Sequence, residues 1–410
     1  MRTNFSLVLF FVCISFSFVK CHLSNDKSVR DSVEWRYDRT GIYANETDLL
    51  KPWPADGPEM LWHYDGLGDG HSSVSIAGDK LYVTGMIDEK GWLFVFNLNG
   101  KLLNRVMYGD EWAVNYEGTR ATPIVNDGKI YLMSGVGDLI CLCANHLDVI
   151  WKRNILVDFD SKNITWGINE SPLIIGDMII STPGGKEHNV VALNKNSGEM
   201  IWSSSGVGEL SAYCSPLYIG EQEIPLIATI TADNIIGLEA STGKLLWSFE
   251  SWNRNKIHSN TPVYADNMIL FTSVDKGCTM VRLSDGGRKA EIVWEIPDLD
   301  NMMGAMVKAG EYVYGSCSGY KAKLWYCVNW NTGEIMYKDS GLATAGVTIF
   351  ADSMLYCYSD RGDMALVKPG TERFDIVSQF KGPHWAHPVI FKGTLYVRHG
   401  DGLMAYKIKK

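Results

Sequence analysis

The sequence predicts an all-β fold, an eight-bladed β-propeller of four-stranded antiparallel blades, and three observations carry that reading. Composition is the first. The chain has 410 residues, 46% of them hydrophobic and 21% charged, with 40 Gly, 14 Trp and 19 Tyr. Hydrophobicity at that level argues against disorder, and the glycine and aromatic load favours many turns and many strands over helices. A repeat is the second. Ala192-Leu193-Asn194-Lys195-Asn196-Ser197-Gly198-Glu199-Met200-Ile201-Trp202 recurs as Glu239-Ala240-Ser241-Thr242-Gly243-Lys244-Leu245-Leu246-Trp247 and as Asn329-Trp330-Asn331-Thr332-Gly333-Glu334-Ile335-Met336-Tyr337. With its weaker copies the repeat sets anchors at Trp62, Asn104, Trp151, Trp202, Trp247, Trp294, Tyr337 and Phe380. A period of 40 to 50 residues is the mark of an array of small sheets. The third observation is a second series in step with the first, in which Ser/Thr-Pro pairs such as Thr122-Pro123, Ser171-Pro172, Ser215-Pro216 and Thr261-Pro262 open short apolar runs.

The elements follow in chain order. Residues 1–21 carry Arg2 and then an apolar run from Phe5 to Val19, too short and too terminal for a spanning helix, and read as a signal peptide. Its removal takes away Arg2 and Lys20 and no acid, so the formal charge moves from −9 to −11. A surface of that sign has no basic stripe for nucleic acid or anionic lipid. Cys21 is a candidate lipid-anchor site, although Lys20 stands before it where a small residue is normally required. Residues 22–57 read as an irregular lead and 58–410 as the propeller. The seven cysteines from Cys141 to Cys357 show no CxxC spacing and mostly sit in apolar runs, which suits small buried hydrophobes.

Within each repeat, four short alternating strands bounded by Gly, Asp and Asn turns make one sheet, and radial stacking of eight sheets covers their faces. The anchor aromatic lies on the outer strand, where a large ring fixes the spacing between sheets. The strand around Trp62 is an outer strand, whereas the C-terminal segments around Tyr396-Val397-Arg398 and Met404-Ala405-Tyr406 are middle strands. One blade is therefore expected to pair N- and C-terminal strands and lock the ring.

These residues resemble the pyrroloquinoline-quinone (PQQ) repeat family, whose eight blades carry an Ala-x-Asp/Asn-x-x-Thr-Gly-x-x-x-Trp motif. The family includes quinoprotein alcohol dehydrogenases and the propeller lipoprotein of outer-membrane β-barrel assembly. The segments Leu50-Lys51-Pro52-Trp53-Pro54, Trp166-Gly167-Ile168-Asn169-Glu170-Ser171-Pro172 and His384-Trp385-Ala386-His387-Pro388 look like a group of secreted bacterial PQQ-like propellers. A shared fold does not carry a shared activity.

Loops entering the innermost strands and those joining second to third strands share one face, around the channel mouth. They place His71, Arg120, Asn169, Glu170, Tyr213, His258, Asn260, His384, Trp385 and His387 there, with Asp275 and Lys276 from the second loop set. What the resemblance implies is specific. Dehydrogenases of the family hold PQQ over calcium with a Glu, an Asn and an Asp, above a Trp and beneath a disulfide of adjacent cysteines. Carried over, Glu170 and Asn260 would be calcium ligands, Asp275 the base, Lys276 a neighbour of the quinone oxygens, and Trp385 and Arg120 further cofactor contacts. No Cys-Cys pair and no C-x-x-C-H occurs, which departs from that pattern. Another chemistry, polysaccharide lyase, would use His71 or Tyr213 as base and Arg120 against a uronate carboxylate. A metal at His384 and His387 is disfavoured because residues three apart on a strand face opposite ways. The function expected is an exported propeller acting as a ligand-binding or scaffold module in the cell envelope, in carbohydrate or polymer processing. Its partner would be a carbohydrate or small molecule, or an envelope protein. A PQQ- and calcium-dependent alcohol or sugar dehydrogenase is the alternative, and a polysaccharide lyase the third reading.

Overall fold

A computed structural model describes residues 32–317, 323–382 and 386–410. The signal-peptide and lipid-anchor readings at residues 1–21 lie outside these, as do His384 and Trp385. Eight four-stranded antiparallel blades succeed one another along the chain; in blades 1 to 7 the blade's own first strand is the innermost of its four, and short lead strands add a fifth to blades 1 and 7. Blade 3 is typical: Leu173–Ile175, Met178–Ser181, Val190–Asn194 and Met200–Ser204 run from axis to rim. Cores lie between blade faces. Leu173, Ile180, Ala192 and Trp202 of blade 3, for example, meet Ile227, Ile236 and Leu238 of blade 4. Closure is made by blade 8, where the outer strand Glu59–Asp65 pairs antiparallel with Gly402–Lys407, the third strand.

Every outer strand carries a one-residue bulge against its neighbour, at Leu61, Leu103, Ile150, Ile201, Leu246, Val293, Met336 and Val377. Such a bulge re-aims the next side chain. In six blades that next residue is an aromatic anchor, Trp62, Trp151, Trp202, Trp247, Trp294 or Tyr337, and its ring turns toward the following blade. The indole nitrogens of Trp62, Trp151, Trp202, Trp247 and Trp294 donate to main-chain carbonyls of the next blade, at Leu98, Lys195, Ala240, Gly287 and Trp330, over 2.9–3.3 Å. Here the repeat glycine has two reasons to be glycine. At Gly198 φ is +74°, and a Cβ would stand 2.9 Å from the Trp151 ring.

The register corrects one anchor. In blade 7 the residue after the bulge is Ser378 and not Phe380. The physical reason is the split of blade 8. Its third and fourth strands are joined by no turn, so the repeat's own turn glycine is missing, and Phe380 packs instead on Gly57 of the lead, where φ is +87° and a Cβ would stand 2.7 Å from the ring. The lead fills that place. Leu50 N–H donates to Ile408 O at 2.7 Å, Leu49 bridges to Lys409, and Trp53 N–H donates to Ser378 Oγ at 3.0 Å. The Trp53 ring packs 5.6 Å from Tyr356 and 5.3 Å from Phe380.

The Ser/Thr-Pro series forms a belt around the axis. Ser73 N–H donates to Thr122 Oγ1, Thr122 N–H to Ser171 Oγ and Ser171 N–H to Ser215 Oγ, at 2.9–3.2 Å. Each hydroxyl thus satisfies a buried amide of the preceding blade.

Candidate functional site

The channel mouth is where the sequence concentrates polar side chains, and the chain's own N-terminal segment runs across it. Ser32–Val33 pairs antiparallel with Ile76 and Ala77 of blade 1, and Ile42–Tyr43 pairs parallel with Phe350 and Ala351 of blade 7. The lead is thus less irregular than its sequence suggests. Between the two pairings Arg36, Tyr37, Asp38 and Arg39 all have positive φ, from 45° to 66°. A left-handed residue other than glycine costs about 1–2 kcal/mol, so this turn persists only because its surroundings hold it. Trp35 Nε1 donates to Thr261 Oγ1 of blade 5 at 2.8 Å, and its ring lies 4.8 Å from that of His387 of blade 8. Arg36 Nη2 donates to Met306 O at 3.1 Å while Nη1 lies 3.1 Å from His387 Nδ1. Arg39 Nη2 donates to Ser171 O at 3.1 Å and Pro172 O at 2.6 Å. All of these partners directly precede innermost strands, so the strap of residues 32–43 spans the mouth end of the axis. Burial lowers both guanidinium pKa values to about 10, which leaves two cations there at neutral pH.

The residues expected at the mouth are engaged mainly with one another and with the main chain. Glu170 is fully buried. Its Oε1 accepts from Thr182 N–H at 2.8 Å and from Ser181 Oγ, and burial raises its pKa against these bonds and the nearby Arg39 charge. Asn260 joins blade 5 to blade 6: Nδ2 faces Thr272 Oγ1 and Asn301 O at 2.8 and 2.9 Å, and Oδ1 accepts from Ala305 N–H at 3.0 Å. His258 is fully buried, with Nε2 3.2 Å from Ala232 O and 3.1 Å from Asn253 Nδ2, and burial lowers its pKa to about 4. His71, Arg120 and Tyr213 share one neighbourhood. Burial and then the Arg120 and Arg398 charges hold His71 at about 4, and burial raises Tyr213 to about 12. Arg120 donates to carbonyls of its own loop, Gly118 O at 2.5 Å and Asn115 O at 3.2 Å. A base at about 4 and a phenol at about 12 are both poorly matched to proton transfer near neutrality. Asp275 is exposed in a turn at φ 63°, and Lys276 Nζ pairs with Glu295 Oε1 at 3.1 Å. His387 is the strap's partner, its pKa well below the usual value through burial and the Arg36 charge.

The donor set does not fit PQQ over calcium. Of the proposed ligands, Glu170 is bonded to Ser181 and Thr182 of its own blade and Asn260 has both ends of its amide engaged, while Asp275 is exposed in a turn. Among the described residues no three His, Cys, Asp or Glu side chains converge as a metal site, and two arginines stand at the axis where a divalent cation would be repelled.

The family model described as outer membrane protein assembly factor BamB matches residues 61–338. The chain belongs to the BamB family. Among curated relatives, BamB of Shewanella oneidensis is 22% identical over 311 residues, covering 72% of this chain and 70% of that protein. Quinoprotein ethanol dehydrogenase of Pseudomonas aeruginosa is 27% identical over 139 residues, 34% of this chain but only 19% of the longer enzyme. Among solved structures, a europium-containing methanol dehydrogenase superposes with a TM-score of 0.65 at 13% identity, over 90% of this chain and 89% of that one. That likeness is one of fold.

Against these BamB-family and quinoprotein relatives, the residues that sequence reasoning missed are Trp35, Arg36, Arg39 and Arg398. The last is buried in blade 8 and donates to Ser72 Oγ of blade 1 at 2.6 Å and Gly68 O at 3.2 Å. One signal was available: three aromatics and three arginines in 30–43, too rich for a solvated linker. The mouth-face loops also present apolar side chains to solvent, with Val114 75%, Tyr116 73%, Val157 78% and Trp252 56% exposed. Trp252 is held by the Lys256 ammonium, 5.1 Å from its ring centre.

Proposed function

We propose that this protein is an exported scaffold of the cell envelope that docks a second envelope protein on its mouth face. The observation that carries the reading is the strap across the axis beneath a rim of exposed apolar loops: the site best placed for a small cofactor is filled, and the surface around it has the character of a docking face. Kinship with an outer-membrane assembly factor supports it, as does the signal-peptide reading of residues 1–21. In this reading His71, Arg120, Tyr213 and His258 brace the loops that carry the docking side chains, and His387 with the Ser171 and Pro172 carbonyls anchors the strap.

The test is site-specific photo-crosslinking in the native host, with the crosslinker at Tyr116 or Trp252 on the mouth face and at Asn196 on the opposite face. Crosslinks to a discrete envelope protein from the first two positions and none from the third are expected. Equal crosslinking from both faces would overturn the reading. A parallel thermal melt with PQQ and calcium separates the dehydrogenase alternative, since a bound ligand at about 100 times its dissociation constant adds about 2.7 kcal/mol, and no shift is expected here.

A further inference from the structure

We propose that the channel mouth is a binding site for an extended, arginine-bearing peptide segment, and that the strap Ser32–Tyr43 is its resident occupant, displaceable by such a segment of a partner. The chemistry of the mouth selects the ligand. What it offers at the axis is almost entirely acceptors: the carbonyls of Ser171, Pro172 and Met306, the Thr261 hydroxyl, the His387 imidazole and the Glu170 carboxylate. Acceptors of that density call for a donor-rich ligand, and the planar guanidinium is the side chain that satisfies several at once. The strap brings two of them and an indole.

The resident fits imperfectly. Glu170 Oε2 and Arg39 Nη1 are both buried, electrostatically coupled, and without a hydrogen-bond partner among the described residues. A buried carboxylate oxygen and a buried guanidinium N–H that each lack a partner are costs that a better-placed arginine would remove. The strap also holds four consecutive left-handed residues, and its main chain pairs over only two residues at each end. Strained residues concentrate at clamps and switches, and weakly paired segments open first. The inference does not depend on the scaffold reading, because it is measured on the purified protein alone.

The experiment uses a fluorescent peptide of the sequence Ser32 to Tyr43 and anisotropy titration of the full chain and of its Arg36→Ala/Arg39→Ala variant. Weakening the resident strap frees the mouth, so the variant is expected to bind the peptide about tenfold more tightly than the unaltered chain, as competition by a bound state requires. The same peptide with both arginines replaced by alanine is expected to bind neither protein. Equal binding by variant and unaltered chain, or equal binding of the two peptides, would overturn the proposal. Should the double variant fail to fold, a protease site inserted between the exposed Thr47 and Asp48 gives the same answer, since cutting leaves the Leu49 and Trp53 anchors in place. The cut strap must then exchange with labelled peptide, and a strap that stays bound against excess peptide refutes displacement.

Discussion

Replacing Trp53 by alanine tests whether the lead is part of the ring or an ornament on it. The ring is 3% exposed and belongs to the core that joins blades 7, 8 and 1. A tryptophan buries about 150–250 Å², worth about 4–6 kcal/mol at 25 cal/mol per Å², an upper figure because the unfolded chain already hides part of it. Loss of the contacts to Tyr356 and Phe380 adds to this, and partial collapse of the cavity subtracts, so a destabilisation of about 3–5 kcal/mol is expected. Trp53→Phe sharpens the argument. The indole nitrogen is buried without a partner among the described residues, so phenylalanine removes an unsatisfied donor while keeping most of the packing, and a loss under about 1.5 kcal/mol is expected. Urea unfolding at pH 7, read by tryptophan fluorescence and by far-ultraviolet circular dichroism, gives both values. A Trp53→Ala cost below about 1 kcal/mol would refute the view that the lead replaces the missing blade 7 anchor, and would return it to the irregular status its sequence suggests.

Three further outcomes are expected. Gly198→Ala adds a Cβ 2.9 Å from the Trp151 ring at φ +74°, so a loss of about 2–4 kcal/mol in the same urea assay is expected, and a neutral result would mean the ring does not dock there. Ser171→Ala removes the acceptor of the buried Thr122 amide and should cost about 1–3 kcal/mol, with faster hydrogen exchange at Thr122; unchanged exchange would break the belt argument. His258, held at about 4 by burial against an ordinary value near 6.5, contributes stability that is complete above about pH 6.5 and is lost as pH falls toward 4. His258→Gln should therefore flatten the pH dependence of the urea midpoint between those limits, and an unchanged slope would show that the imidazole titrates normally.

Much of the architecture was legible because one physical constraint recurs around the ring. Six blades seat an aromatic ring on their neighbour just after the outer-strand bulge, so Trp151, Trp202 and Trp247 recur at a spacing that no shorter-range pattern produces. Legibility fails where the constraint lapses. Phe380 looked like the seventh anchor because it lies on the same strand face as Ser378, two residues away, and only the bulge at Val377 distinguishes them. The lead was opaque for another reason: strands of two residues have no periodicity to read, and their partners Ile76 and Phe350 are remote in sequence. At the site, position was readable and chemistry was not. Glu170, Asn260 and His258 do precede or open inner strands as expected, but only the structure reveals that their polar atoms answer to Thr182, Ala305 and Ala232.

One continuous lead does two jobs, and the structure keeps them separable. Residues 49–53 close the ring through Lys409, Ile408 and Ser378, using burial and main-chain bonds at the rim. Residues 32–43 seal the axis through two arginines, using charge-assisted bonds to carbonyls at the mouth. Ring closure buries Trp53; the seal buries Tyr43 and Val33 in the same core, yet it also carries a strained turn and leaves a carboxylate oxygen unanswered. On the displacement proposal the seal opens first and the ring stays intact beneath it. The axis of this propeller is thus occupied by a segment of its own chain, held by two guanidinium groups on main-chain carbonyls, and the shared shape carries no shared activity.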